Sequence, residues 1–170
     1  MLDGYSAVIF NGTMMTLALA LLAVVGSTLL GIGGALCRTS GSKVLRYLAL
    51  AYTTMIRSVP DLVIMLLVFY NLQILVNALC QMTGIERIEL DAFTAGVITV
   101  SFIYGAYMTE TFRGALEAIP RGQIEAALSV GMKGSQIFRQ VTFPQLMRYA
   151  LPGYSNNIQV IIKATALVSI

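Results

Sequence analysis

The chain of 170 residues is 57% hydrophobic and only 11% charged, with a net charge of +3. A water-soluble domain of this length carries charge on about a quarter of its residues, so one solvated core is excluded and lipid is the expected solvent. The positive balance does not point to nucleic acid, because in a membrane chain the placement of Lys and Arg matters more than their sum.

The expected fold class is an all-α integral membrane protein, a multi-span helical bundle in one transmembrane domain over residues 1–170. Spans are expected at about 10–36, 60–80, 92–112 and 153–170, near the roughly 20 residues needed to cross the hydrocarbon. The first, from Phe10 to Leu36, is too long for the apolar part of a cleavable signal, and its basic flank follows it. Within it Ala23, Ser27, Gly31 and Ala35 form a small-residue ladder that lets another helix approach closely. The stretch from Val44 to Ile56 is apolar with two Thr and is expected to run along or into the inner membrane face. Pro60 and Asp61 then read as a helix start, with Pro in the first turn and Asp complementing the positive end.

In the second span Tyr70, Gln73 and Asn77 share one face and are ill suited to lipid, so they either bond other helices or line a path for solute. The third span ends in Tyr107, Glu110 and Arg113. Glu110 and Arg113 lie one turn apart, which leaves an ion pair and a substrate contact both open. In the fourth, Asn156, Gln159 and Lys163 repeat the one-face spacing. Lys163 would lie about 16 Å beyond Pro152 at helical rise, close to the midplane, where a cation needs a partner, water or ligand. The apolar stretch runs to Ile170 without a polar tail, so further spans are expected beyond it.

Charge sorting orients the chain. Arg38, Lys43, Arg46 and Arg57 follow the first span, and Arg113, Arg121, Lys133, Arg139 and Arg148 lie between the third and fourth. Only Arg87 falls between the second and third, beside Glu86, Glu89 and Asp91. The N-terminus is therefore expected on the periplasmic side and the 113–148 segment in the cytoplasm. With His absent, neither a His metal site nor a His base is available, and Cys37 and Cys80 fall at opposite membrane faces, too far apart for a disulfide. No enzyme chemistry is expected, and no cofactor.

The 113–148 loop has internal design. Pro120 opens a helix, Ile124, Ala127 and Leu128 give it an apolar face, and Gly131 ends it. Ser135 is expected to cap a second helix with Ile137, Phe138 and Val141 on its apolar face, closed by Pro144. The result is a rigid knob under the membrane, suited to receiving mechanical work.

The run Glu125-Ala126-Ala127, three residues, Gly131, nine residues, then Val141 to Pro144 resembles the EAA loop of ABC importer permeases, with Val141 and Phe143 as conservative departures. The flanks Ile56 to Pro60, Tyr104 to Gly114, Leu151 to Gly153 and Lys163 to Ser169 are similar to the polar amino acid branch, nearest to histidine, lysine, arginine, ornithine and opine permeases. The resemblance implies a bundle of the type I ABC importer permease kind in the bacterial inner membrane. It implies a homologous permease partner, a periplasmic binding protein and an ATPase dimer that alone binds ATP. The coupling role would fall on Glu125, Ala126, Ala127, Gly131, Val141 and Pro144. The substrate path would fall on Tyr70, Gln73, Asn77, Tyr107, Glu110, Asn156, Gln159 and Lys163. A proton-coupled secondary transporter and a non-transporting membrane scaffold are the rival readings.

Overall fold

The computed structural model describes residues 6–84 and 86–168, which form helices joined by short links, with no strand among them. Three helices are long and apolar enough to cross a membrane: α1 (Ser6–Thr39), α3 (Asp61–Thr83) and α4 (Ala92–Glu117). They overlap the stretches 10–36, 60–80 and 92–112. Between α1 and α3 lies α2 (Lys43–Ser58), and beyond α4 come α5 (Arg121–Ser129), α6 (Gly134–Ile137) and α7 (Phe143–Val168). Ser169 and Ile170, the end of the expected fourth span, lie outside the described residues.

Helix α4 is the axis of the bundle. In its most apolar stretch 61% of residues are buried, against 6% in α3, so α4 is wrapped by protein while α3 offers most of its surface outward. The core is built from Val100, Ile103 and Met108 of α4 with Ile161 of α7, each fully buried.

The ladder of α1 seats against α4, and Ala23, Ser27, Gly31 and Ala35 are all buried. The approach is closer than the ladder alone suggests, because glycines on both helices remove the intervening Cβ atoms. A Cβ at Gly31 would overlap Met108, including its backbone, and one at Gly105 would lie 2.8 Å from both Leu30 Cβ and Tyr52 Oη. Backbone packing of this kind replaces the hydrophobic drive that lipid removes.

Helix α2 runs into the bundle: the Tyr52 hydroxyl donates to the Phe102 carbonyl, 2.5 Å away in the middle of α4. At the start of α4, Asp91 accepts from the Thr94 backbone N–H at 3.1 Å and from its hydroxyl at 2.6 Å. These bonds hold the Asp91 carboxyl below its ordinary range. A depressed folded value means a contribution present above the unfolded carboxylate range and lost as pH falls through the folded value. The melting temperature of wild type should therefore exceed that of Asp91→Ala at neutral pH, with the gap closing in acid; a constant gap contradicts the cap.

The loop departs from expectation after Gly131. Helix α5 opens after Pro120 and closes as foreseen, with Gly131 at φ +80°, the Met132 N–H on the Ala127 carbonyl and the Gly131 N–H on the Leu128 carbonyl. This double bond pattern needs a left-handed residue, and glycine takes it without a Cβ penalty. The second helix, however, starts at Gly134, where the Lys133 N–H donates to Gln136 Oε1, and Ser135 is not its cap. Pro144 does not close it either. A π-helical turn, Phe138–Thr142, carries the chain straight into α7, which passes through both Pro144 and Pro152. Pro144 has no N–H for the carbonyl four residues back and its ring crowds that carbonyl, and the wider π turn just before it accommodates both.

The apolar faces are also rearranged. Ala127 and Ile137 are buried, whereas Leu128 and Phe138 point outward at 57% and 55% exposure.

Candidate functional site

Two regions concentrate the chemistry: the α5 knob and the end of the bundle from which it hangs. The knob is tied back to α7, because Gln145 Nε2 donates to Gln123 Oε1 at 2.5 Å and to the Val141 carbonyl at 3.0 Å. Ala127 faces inward, Val141 is half-buried, and Glu125, Ala126, Gly131 and Pro144 are exposed. Around them Leu128 and Val130 stand clear of the protein, and Phe138 and Phe143 pair with ring centroids 6.0 Å apart. The knob thus shows small, acidic and apolar groups outward while its own anchor is polar and fixed.

At the root of the knob, Glu110 is a hub. Arg113 Nε lies 2.8 Å from one carboxylate oxygen and Arg38 Nε 3.3 Å from the other, while Arg113 also meets Glu117 at 2.5 Å. The ion pair open from sequence is therefore present, and it extends across to α1. With the Glu110 side chain only 14% exposed, this pair resists screening better than a surface bridge.

Asp61, read from sequence as a helix start, does more. Its carboxylate accepts from Tyr107 Oη at 2.5 Å and from Tyr104 Oη at 3.4 Å, which pins the start of α3 to α4. The Arg57 guanidinium lies over the Tyr107 ring, 5.6 Å from its centre. Beside these groups opens a cavity of about 420 Å³ whose lining includes Arg38, Thr53, Thr54, Arg57, Ser58 and Glu110.

The polar stripes divide. Gln73 is a structural staple: Nε2 donates to the Ile88 carbonyl at 2.7 Å and to Asn77 Oδ1 at 3.0 Å, and Oε1 accepts from the Leu90 N–H at 2.8 Å. Gln73→Leu should free the 86–90 segment, read as faster proteolysis or hydrogen exchange there with the bundle otherwise intact; unchanged protection contradicts the staple. Tyr70 is 71% exposed and packs edge-on to Phe69. On α7, Asn156, Gln159 and Lys163 are exposed, and Lys163 makes no ion pair among the described residues.

The neighbour of that stripe, Asn157, turns inward like Thr165 on the same helix, and it is 8% exposed and donates to Thr111 Oγ1 at 3.0 Å. Sequence reasoning passed over it, although Ala150, Ile161 and Ala164 mark the buried face of α7 and place Asn157 on it. It also passed over Arg57 and Thr54, whose signal is only spatial.

Residues 27–170 match the family described as the binding-protein-dependent transport system inner membrane component. A histidine/lysine/arginine/ornithine transport system permease of Salmonella typhimurium is 54% identical over the whole chain, which covers 75% of that relative. An octopine transport system permease of Rhizobium radiobacter is 32% identical over 99% of the chain and 71% of its own length. In three dimensions, the crystal structure of an amino acid ABC transporter with histidines superposes with a TM-score of 0.77 at 35% identity, covering 98% of this chain and 72% of the other. An inward-facing methionine ABC transporter, at 18% identity and a TM-score of 0.71, shares the fold. The described chain is a helical ABC-permease bundle, and it belongs to the binding-protein-dependent transport system inner membrane component family.

Proposed function

We propose that the chain is the permease subunit through which an ATP-driven importer passes basic amino acids or their opine derivatives across the bacterial inner membrane. The observation that carries this reading is the 54% identity over all 170 residues to a permease named for histidine, lysine, arginine and ornithine. The α5 knob supports the mode of energy input. Its exposed Glu125, Ala126, Leu128 and Val130, held by the Gly131 cap, would insert into a groove of the ATPase. Closure of the ATPase dimer would then tilt the spans rooted at Glu110 and Arg113.

The subunit itself hydrolyses nothing and holds no cofactor; ATP belongs to the partner ATPase. The N-terminus faces the periplasm and α5 the cytoplasm, by the sorting of basic residues. α7 is the fourth span, with its exposed Asn156, Gln159 and Lys163 toward a homologous permease rather than lipid, where a cation is costly. A periplasmic binding protein delivers the substrate. Tyr70, Asn77 and Tyr107 lie along the path, with Gln73 holding the wall as a staple, and Glu110 meets a cationic side chain when Arg38 releases it.

A proton-coupled transporter would need no knob of this kind, and a scaffold would need no uptake. The test is uptake of labelled arginine, histidine, ornithine and octopine by cells deprived of their own basic amino acid importers. Expression of the chain's operon should restore one or more of them, with competition among the basic ones. Restored uptake of acidic or neutral amino acids alone would overturn the substrate class. Glu110→Gln with unchanged affinity and rate would remove Glu110 from the path.

A further inference from the structure

The cavity beside α2 is unlike the rest of the path in the sign of its charge. Its lining holds two cations, Arg38 and Arg57, against one anion, Glu110, and Arg113 draws further on that same carboxylate. Arg57 makes no ion pair among the described residues. Its planar guanidinium is instead oriented by the Tyr107 ring, and that ring is fixed in turn by the bond from its hydroxyl to Asp61. An arginine whose charge lies over a ring face still has its fork of N–H donors to offer, and that fork suits a carboxylate or phosphate with two oxygens in a plane.

Of the hydroxyls around it, Thr53 and Ser58 donate to the Leu50 and Met55 carbonyls, which leaves Thr54 as the exposed hydroxyl beside Arg57. At about 420 Å³ the cavity has room for a whole amino acid. A carboxylate would be drawn to Arg57 in this lining.

We propose that Arg57, lying over the Tyr107 ring and assisted by Thr54, is an α-carboxylate subsite that fixes one end of the transported amino acid and leaves its side chain toward the cavity mouth. This rests on the permease reading above, and it adds a group on which specificity for amino acids over simple amines depends.

The test uses the assembled permease and ATPase in nanodiscs, without binding protein, with labelled arginine and with agmatine, which is arginine lacking the carboxylate. Wild type should bind arginine at least about tenfold more tightly than agmatine, the scale of a charged hydrogen-bonded pair. Arg57→Met should reduce that ratio to near one, Arg57→Lys should restore part of it, and Thr54→Val should lower it by a smaller factor. Arg46→Met, whose guanidinium lies over Tyr47 outside the cavity, should leave the ratio unchanged. An unchanged ratio in Arg57→Met overturns the proposal. So does an Arg57 effect that vanishes when anionic lipid is replaced by zwitterionic phosphatidylcholine, which would assign the guanidinium to an anionic lipid headgroup. Loss of arginine uptake by wild type itself would instead strike the permease reading. Should Arg57→Met fail to assemble, Arg57→Lys and Thr54→Val carry the test.

Discussion

Gly31→Ala is expected to destabilise the protein by about 1–3 kcal/mol, the usual cost of overfilling a packed site. The added methyl group would overlap the Met108 side chain and press on its backbone, which cannot move aside without shifting α4. Gly33→Ala, two residues on, has nothing within 4 Å of its new Cβ and should be neutral or slightly stabilising through helix propensity. Thermal unfolding of the two variants in one detergent gives the comparison. Equal melting temperatures would show that α1 and α4 are not in backbone contact. A bulkier change, Gly31→Leu, should leave no folded protein to purify, while Gly33→Leu should remain soluble in the same detergent.

The second large effect concerns α5. Gly131→Val places a β-branched residue at φ +80°, at a cost of roughly 1–2 kcal/mol or more, with open space around the Cβ, so the damage comes from the backbone alone. The cap bonds to Ala127 and Leu128 should open and the knob should lose its fixed shape. Leu128→Asp acts differently, since it leaves the helix intact and removes an outward apolar anchor of the sort that supplies about 2 kcal/mol or more at an interface. Both variants should reach the membrane in normal amount and fail to retain the ATPase on purification, with uptake reduced at least about thirtyfold. Retention of the ATPase by both would sink the assignment of α5 as the coupling element.

Much of this arrangement was legible in the sequence, for identifiable reasons. Lipid imposes continuous apolar runs, so α1, α3 and α4 stood out by length and composition. Gly131 was legible because a left-handed cap has few alternatives to glycine. The segment after it was not. Pro144 read as a boundary because proline lacks a donor, and the structure carries α7 through it and through Pro152, with a π turn ahead of the first.

The site divides along the same line. Spacing along one helix found the Glu110 and Arg113 pair and the stripe on α7. It had no means of finding the extension to Arg38, or the grouping of Asp61, Tyr107 and Arg57, since those partners lie 46 to 72 residues apart and meet only because α1, α2 and α3 pack against α4. Leu128 and Phe138 were read as members of apolar faces, and periodicity marks such a face without saying whether the chain's own body or a partner covers it.

The central claim is that ATP hydrolysed by a separate subunit drives substrate through this chain. Purified permease and ATPase reconstituted in proteoliposomes, with labelled arginine and the binding protein outside and ATP in the compartment that α5 faces, test it most directly. The account predicts accumulation against the gradient that requires ATP, survives a protonophore and is absent with a non-hydrolysable analogue. Accumulation without ATP that collapses with the proton gradient would contradict it.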